Sequence, residues 1–361
     1  MLSWRDPGVR LTLITVTLVI IGLMFVYSAG SLQAIRLGKN DLYFLIKQML
    51  SCGLGFAALV IAYHIPLDTY RKLIIPLYFL TLILLIVVLF QPAINNAHRW
   101  ISLPFFSIQP SEIAKFTVVV YLAHYLDKKY DRMMDFSRGF LPATLLVGIL
   151  TALILVEPDF GTTVLIMAVA MTLFVVGGVR PRHVLGIAAF ISPILIASLS
   201  FGYRKGRLLV FLDPWSDRFN KGYQLIQSLS AVGSGGIFGK GVGNSTQKLF
   251  FLPEAHTDFI YAIIAEEWGF IGAMIVLILI VLFFRTTIKE ALRHQIRYKK
   301  LLMIGIACIL FYQSAINIGV VLGLLPTKGL TLPFVSYGGS AMLVSLFFVG
   351  VLLRGIEEAN E

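Results

Sequence analysis

Charge is the scarce ingredient of this chain. Asp, Glu, Lys and Arg make up only 14% of its 361 residues, against about 25% in soluble domains. Cysteine is nearly absent. Cys52 and Cys308 both sit in apolar runs, and a disulfide framework needs more. The familiar motifs of metal and nucleotide enzymes are missing as well: there is no HExxH, no Cys/His cluster, no GxSxG and no P-loop. The glycine-rich stretch 233–243 is no exception, because Lys240 is followed by Gly241 where a phosphate loop needs Ser or Thr. Any catalysis must therefore rest on carboxylates, cations and positioning.

What fills the chain instead is hydrophobic residues, at 58%, with a mean hydropathy of +0.85. One globular core cannot hold that much. A membrane-spanning helix needs about 20 apolar residues, and ten such runs are present. They cover residues 10–29, 43–63, 73–91, 110–126, 140–156, 160–178, 183–202, 259–284, 301–324 and 332–353. The fourth is the weakest, since Ser111, Glu112 and Lys115 lie in its first turns. Ser28-Ala29-Gly30 resembles a signal-peptide cleavage site, but the first run is too long for one and many spans follow, so it reads as a helix. An open sheet cannot span lipid, and the alternation of a barrel is lacking. The reading is an all-α polytopic membrane protein, a single integral-membrane domain over residues 1–361.

Lys and Arg orient it. With the N-terminus inside, 17 of the 30 basic residues fall on the inner side, and seven of the remaining 13 lie in one outer loop, 203–257, between the seventh and eighth spans. The positive-inside rule then puts both termini in the cytoplasm. Most of the net charge of +11 reflects topology, so it does not call for a nucleic-acid partner.

The outer loop breaks this pattern. It carries Arg204, Lys205, Arg207, Arg218, Lys221, Lys240 and Lys248 against Asp213, Asp217 and Glu254. A cationic surface on that side suits an anionic head group, because Arg and Lys bind phosphate oxygens by charge-assisted hydrogen bonds. Contact with ordinary anionic lipids is the simpler alternative. Gly233, Gly235, Gly236, Gly239, Gly241 and Gly243 suggest a tight re-entrant turn or an interfacial helix.

Asp258 stands one residue before the eighth span. An acid there can cap the helix, but at the border of apolar helix and cationic loop it can also be partly desolvated and act as a general base. Glu266 and Glu267 lie two turns further, inside the apolar run, where a charge must face protein or water; pairing is the expectation. Glu112 and Lys115, at i and i+3, can pair on one helix face. Glu157-Pro158-Asp159 before Gly161-Thr162-Thr163 reads as an outer turn with a helix cap. His98-Arg99-Trp100 is an exposed cationic-aromatic patch.

Together these outer motifs resemble the SEDS family (shape, elongation, division and sporulation) of polytopic glycosyltransferases that build peptidoglycan. The resemblance runs through Arg99-Trp100, Gln109-Pro110-Ser111-Glu112 with Lys115, Pro158-Asp159-Phe160-Gly161-Thr162, Gly222-Tyr223-Gln224, Gln227-Ser228 and Gln247-Lys248. It continues through 252–260, Leu324-Leu325-Pro326 and 332–340, covering essentially the whole chain. Glu254-Ala255-His256, Pro326-Thr327-Lys328-Gly329-Leu330-Thr331 and Tyr27-Ser28-Ala29 lean toward the cell-division branch; the sporulation relatives are not separable from it. Trp268 and Ala341 depart mildly from the family pattern.

The resemblance implies ten helices with both termini inside, in a bacterial inner membrane, with the active site on the outer face. It implies polymerisation of lipid II, an undecaprenyl-pyrophosphate disaccharide-pentapeptide, with the acid at Asp258 as the essential catalytic residue. It assigns Glu112, Lys115, Glu157 and Asp159 to support of the site. Toward substrate it places Arg99, Gln109, Arg207, Gln224, Lys240, Gln247, Lys248, His256, Thr257, Lys328, Ser336 and Ser340. A divalent cation, Mg or Mn, is implied at the pyrophosphate, and a class B penicillin-binding transpeptidase with other division proteins as partners. The alternatives are a lipid II flippase, which would use ionisable groups inside the bundle, and an elongation polymerase of the same family.

Overall fold

The computed structural model describes residues 6–92, 98–102, 107–200, 210–220, 222–249 and 251–360. Helices occupy all ten apolar runs. In chain order they are α1 Pro7–Arg36, α2 Tyr43–His64, the short α3 Leu67–Lys72, α4 Ile74–Leu89, α5 Pro110–Lys128, α6 Leu141–Val156, α7 Phe160–Val176 and α8 Pro181–Ser200. They continue with α9 Tyr223–Ser234, α10 Ile260–Ala291, α11 Arg297–Val321 and α12 Gly339–Glu358. By length and composition six of the helical segments can cross a membrane: α1, α2, Phe136–Val156 (a π turn running into α6), α10, α11 and α12. A two-residue antiparallel ladder, Ile101–Ser102 with Ser107–Ile108, leads into α5.

The packing sorts the helices by composition. In α11, 78% of the most apolar window is buried inside the protein, against 22% in α2. Accordingly α11 packs on α5, α7, α10 and α12 and forms the centre of the bundle, while α2 lies along α12 at its margin. The large apolar side chains that α2 and α4 leave bare, such as Leu50, Ile61, Ile75 and Phe79, suit lipid tails, since a soluble surface does not carry so many. The apparently weak fourth run is a deeply buried helix. In α5, Ser111, Glu112 and Lys115 point into the protein, where partners satisfy them, so their polarity lowers the hydropathy without exposing the helix.

Two breaks in regularity shape the end of the bundle that carries the 203–257 loop. The first is at Gly269 in α10, whose φ of 69° and ψ of −164° suit only glycine. The main chain of the loop fills the gap in the helical hydrogen bonds. Phe270 N donates to Gly236 O at 2.9 Å, Lys240 N to Glu266 O at 3.0 Å and Gly241 N to Glu267 O at 3.0 Å. The loop 203–257 therefore holds a helix, α9, packed on α10, and a glycine turn stitched into the α10 break.

The second lies between α11 and α12. Residues 332–338, read from sequence as the start of the tenth span, are non-helical, and α12 begins at Gly339. Leu332, Phe334, Val335 and Ser336 of this strap are buried. It lies against Gly22 of α1, where an added β-carbon would come within 2.6 Å of the Phe334 carbonyl oxygen. Irregular backbone at membrane depth is tolerated only where protein satisfies it, and here side chains do. Ser336 Oγ accepts from Leu332 N at 2.8 Å and donates to Thr257 O at 2.6 Å, and Gln48 Nε2 donates to Ser336 O at 3.1 Å. At the opposite end ion pairs tie the helices together: Arg71 to Asp127 at 3.0 Å and Lys299 to Glu358 at 2.7 Å.

Candidate active site

Asp258 lies in the turn that enters α10 and is half-buried. The turn is held from two sides. Tyr337 N donates to His256 O at 3.0 Å, and Ser336 holds Thr257 as above. From α11, the single amide of Asn317 donates to both Asp258 O and Leu330 O, each at 2.7 Å. This ties the strap directly to the backbone of the acid. The strap residue facing the carboxylate is Gly329, where a β-carbon would stand 3.2 Å from Asp258 Oδ2.

One turn back along α11, Gln313 repeats the device. Its Nε2 donates to Thr331 O at 2.9 Å, and its Oε1 accepts from Lys115 Nζ at 2.8 Å. Lys115 also pairs with Glu112 at 2.7 Å, both nearly fully buried. The i, i+4 spacing of Gln313 and Asn317 puts both amides on one face, so the buried ion pair is connected through α11 to the strap that borders Asp258. Sequence reading picked out neither Gln313, Asn317 nor Gln48. The available signal was an amide inside an apolar span, where an unpartnered polar group is costly.

The turn between α6 and α7 forms a second cluster. Asp159 caps α7, accepting from Thr162 N at 3.2 Å and Thr162 Oγ1 at 2.8 Å, and Gln109 Nε2 reaches it at 3.3 Å. Arg99 donates to Pro158 O at 2.5 Å and Glu157 O at 3.3 Å. Glu157 is fully buried, and neither carboxylate oxygen has a hydrogen-bond partner among the described residues. Burial pushes its pKa up to about 8, with the Asp159 charge adding and Arg99 opposing, so the group is protonated at neutral pH. Lys328 places its ammonium 4.3 Å from the centre of the Phe160 ring. Burial pulls its pKa down to about 8 against the attraction of Asp159.

Two cations of the outer loop, Lys240 and Lys248, are engaged elsewhere. Lys240 pairs with Glu266 at 2.7 Å and Lys248 with Glu267 at 2.9 Å, and both glutamates are fully buried. Thr246 N and Oγ1 donate to Glu266 at 3.0 and 2.7 Å, and Ser245 Oγ donates to it as well. Glu267 accepts from Gly243 N at 2.8 Å and Ser28 Oγ at 2.7 Å. The expected pairing of the two glutamates is thus present, with the same lysines that the resemblance placed at substrate. Gln247 N also reaches Glu266 Oε2, at 3.3 Å.

The remaining candidates are more dispersed. Gln224 reaches Pro253 O at 3.4 Å, Ser340 Oγ donates to Ser107 O at 2.5 Å, and Thr257 Oγ1 donates to Glu254 Oε2 at 2.9 Å. The His256 ring packs 4.5 Å from Phe44 and 5.5 Å from Tyr337, and burial holds its pKa below the ordinary value. Arg207 lies outside the described residues. Among the described residues no group of three or more His, Cys, Asp or Glu side chains could close around a metal ion.

The arrangement offers a half-buried carboxylate beside a side-chain-free backbone at Gly329, with a cation, Lys328, on the preceding residue. A proton can be taken at the first and negative charge stabilised at the second. A family model for the FtsW, RodA and SpoVE cell cycle proteins matches residues 9–361. The chain is 43% identical to a probable peptidoglycan glycosyltransferase FtsW of Coxiella burnetii, covering 98% of this chain and 96% of that one. It is 38% identical to the stage V sporulation protein E of Bacillus subtilis, covering 97% and 89%. Among solved structures, it matches a chain from work on the structural coordination of polymerization and crosslinking by a peptidoglycan synthase complex. That match has 28% identity and a TM-score of 0.80 and covers 98% of each chain. It also matches the rod shape determining protein RodA of Thermus thermophilus, with 26% identity and a TM-score of 0.72 over 99% and 98% of the two chains.

Proposed function

The chain belongs to the FtsW, RodA and SpoVE family of cell cycle proteins, and on that premise we propose how it works as a peptidoglycan glycosyltransferase: it polymerises lipid II at the division septum with Asp258 as general base. Relatives above 40% identity carry the glycosyltransferase name over nearly the full length. The observation that carries the assignment to Asp258 is its setting. The acid stands at the mouth of α10, its backbone tied to the strap by Asn317 and its carboxylate facing Gly329.

Asp258 takes the proton from the acceptor sugar's 4-hydroxyl as that oxygen attacks C1 of the donor sugar. The O4–C1 bond forms, the bond from C1 to the phosphate oxygen breaks, and the electron pair leaves with the lipid pyrophosphate. An α-linked donor and a β-1,4 product require one inversion, so no glycosyl-enzyme intermediate is needed. Cations stabilise the departing charge. A magnesium or manganese ion there would rest on substrate oxygens with one or two carboxylates. The described residues offer no closed cage for it.

The ten helices cross the inner membrane with both termini in the cytoplasm, a reading supported by the sorting of Lys and Arg. A class B transpeptidase is the partner, a reading supported by the likeness to a peptidoglycan synthase complex. The test is glycan synthesis from lipid II by purified protein, alone and with the cognate transpeptidase. Loss of a general base costs about 10²–10⁴-fold, so Asp258→Ala is expected to fall by at least about 100-fold. Full glycan synthesis by the folded variant overturns the assignment. Lipid II flipping by wild type without polymerisation favours a transporter.

A further inference from the structure

The reaction needs a cation for the departing diphosphate, and among the described residues near Asp258 the structure separates cations that are committed from Lys328. Lys240 and Lys248 each close on a fully buried glutamate, Lys240 to Glu266 at 2.7 Å and Lys248 to Glu267 at 2.9 Å. Moving either lysine onto a substrate leaves a carboxylate uncompensated inside the protein. Lys115 is buried between Glu112 and Gln313. Arg99 directs Nε and one terminal nitrogen at the carbonyls of Glu157 and Pro158. Lys328 differs from these. Among the described residues its side chain has no ion pair and no hydrogen bond, and its ammonium rests 4.3 Å from the centre of the Phe160 ring.

We propose that Lys328 is the cation that holds the diphosphate of the lipid-linked donor, and that Lys240 and Lys248 instead hold the outer loop in place. The inference rests on the reading of the chain as a lipid II polymerase, and it names the leaving-group site within it.

Three observations converge on Lys328. Its neighbour Gly329 faces the Asp258 carboxylate, so base and cation leave adjacent residues of one strap. The Lys328 ammonium itself rests over the Phe160 ring and feels the Asp159 charge. Inverting transfer puts base and leaving group on opposite faces of the reacting carbon, so the leaving group needs a cation on a side chain other than the base.

The local charge is also unbalanced. The Asp159 oxygens are occupied by Thr162 and Gln109 as a helix cap, and buried Glu157 is neutral at pH 7. The Asp159 charge attracts the Lys328 ammonium, but among the described residues no carboxylate closes on it as an ion pair, so the half-buried group has lost hydration without gaining a hydrogen-bonded anion; a diphosphate oxygen supplies that partner. The strap is held at this height by Asn317 and Gln313 through Leu330 and Thr331, which gives the buried Glu112–Lys115 pair a part in placing the site.

The test is direct binding of undecaprenyl pyrophosphate to detergent-purified full-length protein, with undecaprenyl monophosphate as the comparison probe. A charge-assisted contact corresponds to about tenfold or more in affinity. Lys328→Met is expected to weaken pyrophosphate binding by about tenfold and monophosphate binding less, and Lys328→Arg to stay within about threefold of wild type. Binding by Lys328→Met within about twofold of wild type overturns the proposal. So does a tenfold loss in Lys240→Met or Lys248→Met without one in Lys328→Met. Lipid II polymerisation by the same wild-type sample separates the two claims. Glycan synthesis with pyrophosphate binding unchanged in Lys328→Met refutes this site alone. Lys328-dependent binding without any glycan synthesis supports the site and refutes the polymerase reading.

Discussion

The pairing of Glu267 with Lys248 allows a quantitative test of how the outer loop is held. Glu267 is fully buried and Lys248 has 9% of its side chain exposed, with 2.9 Å between the charged atoms. Ser28 Oγ and Gly243 N complete the carboxylate's shell at 2.7 and 2.8 Å. Removing one partner of such a pair strands the other, at a typical cost of about 3–5 kcal/mol. Lys248→Met should fall at the low end, about 3 kcal/mol, because Glu267 keeps its Ser28 and Gly243 donors. Glu267→Ala should reach the high end, about 5 kcal/mol, because it also orphans the Gly243 N–H. The Glu267→Met, Lys248→Met double variant strands no charge. Its loss should fall short of the two single losses added together, giving a coupling of about 1–3 kcal/mol. Unfolding of the detergent-solubilised protein by heat or denaturant, run on all four members of the cycle, measures this. Additivity within about 0.5 kcal/mol would refute the claim that the two charges form one buried unit. Limited proteolysis gives an independent readout, since loosening the latch should open the 236–249 segment to cleavage in each single variant.

Three further outcomes are expected. Asn317→Ala removes two donors from the carbonyls of Asp258 and Leu330; at about 1–3 kcal/mol per orphaned buried carbonyl it should lower thermal stability, and kcat for glycan synthesis should fall more than KM rises. Burial pushes the pKa of the Glu157 carboxyl from its ordinary 4.5 up to about 8, so between those pH values the folded chain holds a proton that the unfolded chain has lost. Wild-type stability therefore declines as pH rises through that window. Glu157→Gln, which cannot ionise, should gain on wild type across the same window, by roughly 3 kcal/mol at pH 7; a difference independent of pH would refute the burial argument. Gly269→Ala forces a side chain into a φ of 69° and against the Ile237 carbonyl, and should destabilise by at least about 1–3 kcal/mol, seen as a lowered Tm.

Much of this molecule was legible from its residues, for identifiable reasons. Runs of about 20 apolar residues have few options in lipid, so all ten emerged as helices. The α5 run looked weak only because hydropathy counts Glu112 and Lys115 as exposed, whereas each neutralises the other inside the bundle. The strap went unrecognised for the opposite reason. Leu332-Pro333-Phe334-Val335 is as apolar as a span, and apolarity does not distinguish a helix from an irregular segment whose backbone is satisfied by Ser336, Gln48 and Asn317. The outer cations were visible as a charge excess, but charge counted along a loop does not reveal that Lys240 and Lys248 meet acids on a different helix.

The sequence by itself determined the helical fold class and the place of an acid, Asp258, at the mouth of a span, because burial of apolar surface and the polarity of a helix mouth are local properties of composition and order. The tertiary structure decided which charges are available for chemistry. Pairing energies depend on distance and desolvation, and those exist only once the Gly269 break brings the glycine turn onto Glu266 and Glu267, and the amides of α11 hold Lys328 and Gly329 beside Asp258.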